Sequence, residues 1–225
     1  VHAAADNIVI GNGVTPLLRI LGYILRNKHS RIAVEEPGFR LGREVFRSGG
    51  YEIVPLPLRD DGLDVDALAQ ADTGLVYVTP SHQFPTGKIM PVGQRYKLLD
   101  WAVQEDGLII EDDYDSELRY EGRPIPALQG LDRSDRVIYL GALSKVLPFF
   151  VRISYLVLPD PLMDMYRRER SLFRQSASVP EQCVLAEYIR SGEMRKQIRR
   201  LRRLYQEKGR KTEYLLQAYF GTAVE

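Results

Sequence analysis

The sequence predicts an α/β domain in which helices flank a mostly parallel β-sheet. Short apolar runs of strand length alternate along the chain with longer segments of helical period, a pattern typical of a sheet covered by helices. The chain has 225 residues, of which 44% are hydrophobic and 27% are charged, so it can enclose a substantial core. In such a sheet we expect ligands to bind at the carboxyl ends of the strands.

Seven segments have the length and apolar content of buried strands. They are Ile8 to Gly11, Arg31 to Glu35, Tyr51 to Leu56, Leu75 to Thr79, Leu108 to Asp112, Val137 to Gly141 and Ile153 to Leu158. Apolar residues at i, i+3 and i+4 spacing predict helices between them. These helices are Thr15 to Lys28, Phe39 to Ser48, Val92 to Glu105 and Leu162 to Arg174.

The end of the chain has a different pattern. From Pro180 onward the sequence is helical in period, and Met194 to Tyr219 predicts one long basic helix. We therefore expect residues 1–180 to form one domain. Residues 181–225 are expected to form a helical segment that leads toward a further small domain outside this sequence.

Composition argues against several classes of function. The 31 basic and 30 acidic residues give a net charge of +1, which offers no global attraction to nucleic acid. Cys183 is the single cysteine, so no internal disulfide forms, and the three histidines do not complete a standard zinc site. No apolar run approaches the roughly 20 residues that span a bilayer, and the first residues lack a signal-peptide layout. We expect a cytoplasmic protein without a metal or membrane contact.

The first polar cluster follows the first predicted strand, in the string IVIGNGVTP. Gly11 and Gly13 end the strand and Thr15 precedes a helix, whose free amides attract phosphate. A dinucleotide-binding fingerprint is an alternative because Glu35 and Glu36 lie about 20 residues downstream, as an acidic ribose ligand would. Pro16 occupies the position of that motif's third glycine, which counts against it. A plain strand-to-helix turn also stays open.

The second cluster is acidic and follows an apolar strand, in the string LIIEDDYDSE. Dense carboxylates at a pocket edge are unfavourable unless cations balance them. A calcium loop is disfavoured because Leu118 stands where that loop needs glycine. A phosphatase with Asp113 as nucleophile and Asp115 as acid is disfavoured by Glu117, where such enzymes have Thr or Val. Solvated loop charges remain a further alternative.

The third cluster contains a lysine directly after a strand, in the string VIYLGALSKVLPFFVRISYLVLP. Apolar neighbours of Lys145 at a sheet edge would lower its pKa, as an imine-forming amine requires. Ser144 and Arg152 then anchor a phosphate, the arginine by a charge-assisted pair. The alternative is an ordinary solvated loop lysine.

Together these strings resemble a known family. EEPGF, VTPSHQFPTG, IIEDDYDSELRY, PIPALQGLD and YLGALSK with RISYLVLP are similar in wording and order to the aminotransferase-like domain of MocR-type regulators of the GntR superfamily. These proteins have the fold type I large domain of enzymes that use pyridoxal 5′-phosphate (PLP), as aspartate aminotransferase does. The resemblance extends from Asn7 to about Phe220.

The resemblance implies a role for each of nine residues. Lys145 corresponds to the Schiff-base lysine, Asp112 to the partner of the pyridine nitrogen, and Tyr114 to the residue that binds the ring's phenolic oxygen. The phosphate site corresponds to Ser144, Arg152 and the turn Gly13, Val14 and Thr15. Phe39 falls where the family stacks an aromatic residue on the ring. Phe84 stands where transaminases have the asparagine of an Asn-Pro-Thr-Gly loop.

The resemblance also implies a function. Regulators of this kind exchange the imine of the cofactor between the lysine and a small amine or amino-acid effector, act as homodimers, and contact DNA only through a winged-helix domain that precedes the equivalent of Val1. A catalytically active aminotransferase, in which Lys145 also moves a proton, is the alternative.

Overall fold

The computed structural model describes residues 1, 3–118, 125–148, 151–174 and 176–221. Within these ranges an eight-stranded sheet occupies the centre of the domain. The strands are β1 Ile8–Gly11, β2 Arg31–Glu36, β3 Glu52–Arg59, β4 Gly62–Leu63, β5 Leu75–Val78, β6 Leu108–Asp113, β7 Val137–Ala142 and β8 Ser154–Val157. The helices are α1 Val14–Leu25, α2 Arg40–Ser48, α3 Val65–Ala69, α4 Val92–Gln104, α5 Leu128–Leu131, α6 Asp160–Glu169, α7 Val179–Arg190 and α8 Glu193–Phe220.

The sheet is mostly parallel, which confirms the predicted fold class. Its order is β1-β8-β7-β6-β5-β2-β3-β4, and the five central strands β7, β6, β5, β2 and β3 are mutually parallel. β8 runs antiparallel to both of its neighbours, β7 and β1. The chain between β7 and β8 contains no crossover helix among its described residues, and a parallel return normally needs one.

This topology gathers the predicted clusters at one edge. β1 runs in the same direction as β7 because both are antiparallel to β8. The carboxyl ends of β1, β6 and β7 therefore lie at the same edge as the amino end of β8. Ser154 at the start of β8 pairs with Gly11 on one side and Ala142 on the other, so the segments that follow β1 and β7 and the segment that precedes β8 are neighbours in space.

The core has two layers, one on each face of the sheet. Side chains alternate across a strand, and β6 shows this alternation. Ile110 packs in the cluster that α1, α2 and α6 cover, whereas Ile109 packs in the cluster that α3 and α4 cover. A third, smaller cluster of Leu143, Val146 and Ile153 lies at the sheet edge where the predicted polar clusters gather, and it contacts residues of α7 and α8. The sheet is thus enclosed by helices on both faces.

Several predicted boundaries differ from those observed. α1 begins at Val14 and ends at Leu25, and α6 begins at Asp160, with a proline in its first turn, where proline's fixed φ favours helix initiation. The short elements β4, α3 and α5 were not predicted because two to five residues contain no recognisable period. The long basic helix is confirmed as α8. The domain boundary near residue 180 stays a prediction.

No helix in the described ranges combines the length and the apolar content needed to cross a membrane.

A buried ion pair stabilises the face of the sheet under α4. Arg95 is fully buried and donates to the backbone carbonyls of Met90, Pro126 and Pro80 at 3.1, 3.1 and 2.8 Å. Its Nη1 lies 3.6 Å from Oε1 of Glu111 on β6. The Glu111 carboxylate also accepts from the amides of Leu128 and Gln129 at the start of α5. The pair therefore joins β6, α4 and α5.

Substituting Arg95 with Met should destabilise the fold. Three carbonyls would lose a charged donor, and we expect the free energy of unfolding to fall by roughly 3 kcal/mol. Burial already raises the pKa of Glu111 to about 7, so the loss should be greater at pH 8, where the carboxylate is ionised, than at pH 5. Urea denaturation followed by circular dichroism measures both values. Arg136→Met is the control, since Arg136 forms a surface pair with Asp106, which is worth less than about 1 kcal/mol.

Candidate functional site

The glycine turn after β1 and Arg152 before β8 form one cradle. Gly13 is the N-cap of α1 and has a φ of 85°, and no side chain caps this helix. A Cβ atom at Gly13 would lie 3.1 Å from Nη2 of Arg152, so the guanidinium packs directly on the turn. Val14 and Thr15 form the first turn of α1. A cation and helix N-terminal amides together make a site for an anion such as phosphate.

The turn that contains Ser144 and Lys145 lies beside this cradle. The Leu143 amide donates to the Ile153 carbonyl at 3.1 Å, which ties the turn after β7 to the segment containing Arg152. Ser144 and Lys145 are both exposed, although Leu143 and Val146 on either side are buried. The expectation of apolar surroundings for the Lys145 side chain is therefore wrong for the described part of this chain. The reason is that the turn directs its polar residues outward and its apolar residues inward.

Asp112 provides a buried carboxylate at the end of β6. Only 4% of the residue is exposed, and its Oδ2 accepts a hydrogen bond from the hydroxyl of Tyr77 on β5. Its Oδ1 is buried and has no hydrogen-bond partner among the described residues. Burial, reinforced by the charges of Asp113 and Glu35, raises the pKa of Asp112 to about 7. A buried oxygen of this kind is suited to a protonated ring nitrogen or another cation.

Asp113 has a different environment from its neighbour. Its Oδ2 accepts from the hydroxyl of Tyr139 on β7 at 2.7 Å, whereas Asp112 bonds to Tyr77, a member of the core under α1 and α2. The alternation of side chains along β6 separates the two carboxylates in this way. Asp112 is therefore the aspartate on the side of α1 and Gly13.

Four rings form a continuous group, here called the aromatic wall: Phe39, Phe84, Tyr114 and His82. Phe84 makes edge-on contacts with Phe39 and Tyr114, with centroid distances of 6.0 and 6.4 Å, and His82 stacks on Tyr114 at 6.0 Å. His82 Nδ1 also lies 2.6 Å from a carboxylate oxygen of Asp115. The pKa of the Tyr114 hydroxyl is raised, first by burial and then by nearby carboxylates.

Gly42 allows the wall to approach the buried aspartate. A Cβ at this position would lie 3.0 Å from Cδ1 of Phe39 and 3.3 Å from Cζ of Tyr77. Because Tyr77 bonds to Asp112, Phe39 lies close to the residue pair at the end of β6. The edge thus combines an anion cradle, a buried carboxylate and aromatic faces for a flat ring.

Several residues at this edge were not predicted from the sequence. Tyr77 lies in the apolar strand LVYV, where its hydroxyl was the only sign of a polar partner. Ser176 lies outside the three polar clusters of the sequence. Its Oγ nevertheless accepts a hydrogen bond from the backbone amide of Asn12 at 3.0 Å. Glu35 and Gln83 are buried polar residues, and their spacing in the sequence does not show that they meet. Arg119 and Tyr120 of the IIEDDYDSELRY string lie outside the described residues.

The geometry fits a phosphorylated, flat, cationic ring that reacts with an amine. The cradle of Gly13 and Arg152 matches the phosphate, and the unpartnered oxygen of Asp112 matches a protonated ring nitrogen. Lys145 offers the primary amine at the same edge. Within the described ranges no group of three or more His, Cys, Asp or Glu side chains is placed to hold a metal ion.

The chain is similar in sequence to known proteins. The model of the family aminotransferase class I and II matches residues 1–217. The HTH-type transcriptional regulator YdeL of Bacillus subtilis (strain 168) is 44% identical over 208 residues, which are 92% of this chain and 45% of that protein. The probable rhizopine catabolism regulatory protein MocR of Rhizobium meliloti is 38% identical over 92% of this chain and 42% of its own length. These relatives confirm the resemblance to MocR-type regulators, and the chain spans less than half of each.

A solved structure shows the same fold. Kynurenine aminotransferase from Pyrococcus horikoshii, crystallised in complex with PMP, superimposes with a TM-score of 0.86 at 29% identity and covers 97% of this chain, which corresponds to 56% of that enzyme. The mostly parallel sheet flanked by helices therefore has a counterpart in a solved aminotransferase. This chain belongs to the aminotransferase class I and II family.

Proposed function

We propose that this chain is the PLP-binding, effector-sensing domain of a MocR-type transcriptional regulator. The observation that supports it most directly is the buried, unpartnered Oδ1 of Asp112 at the same sheet edge as the cradle of Gly13 and Arg152. One group satisfies both features, because PLP has a phosphate at one end and a protonated pyridine nitrogen at the other. When bound, PLP supplies an aldehyde and an electron-withdrawing ring.

Each site residue then has a specific task. Arg152 and Ser144, with the amides of Val14 and Thr15, hold the phosphate. Asp112 pairs with the ring nitrogen and Phe39 packs on the ring face. Tyr114 donates to the phenolic oxygen, and the raised pKa of its hydroxyl keeps that proton in place at neutral pH.

Lys145 performs the recognition step. Lys145 would supply the amine that holds the cofactor aldehyde as an imine, with loss of water, and a small amine or amino-acid effector would take its place by imine exchange. That exchange would return Lys145 as a free amine on an exposed turn. The effector is thus read through a reversible covalent bond and not through turnover.

The relatives favour a regulator over an enzyme. YdeL and MocR are named as regulatory proteins, and more than half of each lies outside the region that this chain matches. We propose that DNA is contacted through an HTH domain in that remaining part, that the protein acts as a homodimer, and that it works in the cytoplasm. A working aminotransferase is the second candidate, which the likeness to kynurenine aminotransferase supports.

Lys145 should be the residue that is bound to the cofactor. The PLP-loaded protein should be yellow, and n-butylamine or L-alanine should shift its visible absorbance without multiple turnovers to pyruvate. Lys145→Ala should abolish the imine absorbance of the protein before any amine is added, whereas Lys97→Ala should leave it unchanged. Borohydride reduction and peptide mapping identify the labelled lysine. A label on Lys88 or Lys97 would contradict the site, and steady accumulation of pyruvate from L-alanine with a 2-oxo acid present as amino acceptor would favour the enzyme.

The two adjacent aspartates should differ in cofactor affinity. Asp112→Asn removes the charge that pairs with the ring nitrogen, so PLP should bind at least about tenfold more weakly, equivalent to about 1.4 kcal/mol. Asp113→Asn should change the affinity by less than about threefold, because Asp113 bonds to Tyr139 on another side of the strand. Paired PLP titrations with circular dichroism as a folding control measure both. Equal losses, or a larger loss at Asp113, would refute the assignment.

The same Asp112 variant should stabilise the cofactor-free protein at high pH. The pKa of Asp112 is raised from 3.8 to about 7 in the folded state, so the folded state binds this proton more tightly than the unfolded chain does. Stability therefore falls as pH rises from about 4 to 7, where the buried carboxylate ionises. At pH 8, Asp112→Asn should be more stable than the unsubstituted protein by roughly 2 to 4 kcal/mol.

This advantage should shrink toward pH 5. Glu35 and Glu111 also have a raised pKa of about 7, but they are present in both proteins, so the difference between the two urea denaturation curves reports the ionisation of Asp112 together with its electrostatic coupling to Glu35. A variant that is equally stable or less stable at pH 8 would show that Asp112 is not held as a desolvated charge.

A further inference from the structure

We propose that Glu35 and Gln83 are positioning residues that join two loops and thereby hold Phe39 and Phe84 in the aromatic wall that faces the effector. Neither residue touches the cofactor in this proposal; both act through the rings that they place. The inference rests on the proposed function, because it assigns the wall to the site where an amine replaces Lys145. Glu35, Thr79 and Gln83 are called here the buried clamp.

Glu35 is the centre of the clamp. Only 3% of it is exposed, and its Oε2 accepts three hydrogen bonds. The donors are the Thr79 amide at 3.2 Å, the Thr79 hydroxyl at 2.6 Å and Gln83 Nε2 at 3.2 Å. Its Oε1 is buried without a hydrogen-bond partner among the described residues. The end of β2 is in this way bonded to the loop that follows β5.

Gln83 extends these bonds to both loops. It is 2% exposed, and its Nε2 also donates to the carbonyls of Pro37 at 3.0 Å and Phe84 at 2.6 Å. Its Oε1 accepts from the amide and the hydroxyl of Thr86 at 3.1 and 2.6 Å. Both polar atoms of the side-chain amide are therefore used within the protein. Pro37 lies two residues before Phe39, so one side chain connects the segments that contain the two rings.

The backbone of Phe84 is held on both sides. Its amide donates to the Thr79 hydroxyl at 3.1 Å, and its carbonyl accepts from Gln83. The ring itself is 44% exposed, and it contacts Phe39 and Tyr114 only at their edges. A half-exposed ring with edge contacts is not fixed by packing alone. The clamp supplies the missing constraint through the backbone.

The clamp also has an energetic cost that a purely structural link would avoid. Burial raises the pKa of Glu35 to about 7, and the bonds from Thr79 and Gln83 oppose this effect. The charge of Glu35 in turn raises the pKa of Asp112. An apolar pair of similar volume would join the loops without desolvating a carboxylate. Polar groups suit this position because hydrogen bonds fix the relative orientation of the two loops, whereas apolar contacts do not.

The test uses substitutions that either break or preserve the bonds. Glu35→Ala and Gln83→Ala remove the clamp, whereas Glu35→Gln keeps an acceptor oxygen at the same place without the charge. Asp64→Ala is the matched control, because Asp64 is a buried carboxylate that caps α3 and pairs with Arg59 outside the aromatic wall. Loss of such a cap lowers stability modestly and leaves the rings of the aromatic wall untouched.

Two readouts decide the proposal. In the PLP-loaded protein, benzylamine and n-propylamine titrations followed by absorbance give the equilibrium constant for replacement of the lysine. Glu35→Ala and Gln83→Ala should weaken benzylamine replacement about tenfold, and n-propylamine replacement less, because an aromatic amine uses the wall more. Glu35→Gln should restore most of the benzylamine value, and Asp64→Ala should change neither amine. In the cofactor-free protein, peptide hydrogen exchange over residues 80–90 should be fast in both Ala variants and slow in Glu35→Gln and Asp64→Ala.

The two readouts also separate this inference from the proposed function. If the unsubstituted protein forms no borohydride-stable bond between PLP and Lys145, the proposed function fails, and hydrogen exchange at the Phe84 amide still decides whether the clamp places that loop. If Glu35→Ala and Gln83→Ala exchange hydrogen as slowly as the unsubstituted protein, or lose only the stability that Asp64→Ala loses with unchanged amine equilibria, the clamp proposal is overturned.

Discussion

Strand β6 delivers three consecutive carboxylates, Glu111, Asp112 and Asp113, into a buried sheet edge. A carboxylate without compensation is strongly unfavourable there, so each one requires a neighbour from another element. Glu111 forms an ion pair with Arg95 and accepts hydrogen bonds from the amides of α5. Asp112 and Asp113 each accept a hydrogen bond from a tyrosine hydroxyl. Because alternation separates their side chains, the three residues organise different parts of the domain. Asp112 and Asp113 each keep a second buried oxygen without a hydrogen-bond partner among the described residues, and that of Asp112 belongs to the carboxylate on the side of α1 and Gly13.

The direction of β8 places a positively charged side chain at the same edge. An antiparallel return after β7 brings Arg152 to the start of β8, where its guanidinium packs on the Gly13 turn. The edge therefore has a cationic cradle and an anionic pocket. This polarity matches a ligand with a phosphate and a protonated ring. It also explains why a chain of nearly neutral net charge holds a strongly polar site.

The remaining wall of the site consists of rings whose positions depend on buried polar groups. Phe84 is half exposed and contacts its neighbours edge-on, while Glu35 and Gln83 lie behind it with almost no exposure. The charge of Glu35 contributes to the raised pKa of Asp112, so the clamp lies within electrostatic range of the buried carboxylate of the candidate site.

The α/β class and most of the strands could be predicted from the sequence, which also proposed nine residues for the candidate site but missed partners such as Tyr77 and Gln83. The sequence also separated Asp112 from Asp113, because the two-residue period of a strand is a local property that needs no knowledge of strand order. The three-dimensional structure was needed to show that β8 runs antiparallel, that Arg152 lies on Gly13, and that Tyr77 and Arg95 are the partners of Asp112 and Glu111. It also placed the Lys145 side chain in solvent. These features escaped the sequence because the partner of a buried polar group is set by which strands become neighbours, and the local pattern of residues does not encode that order.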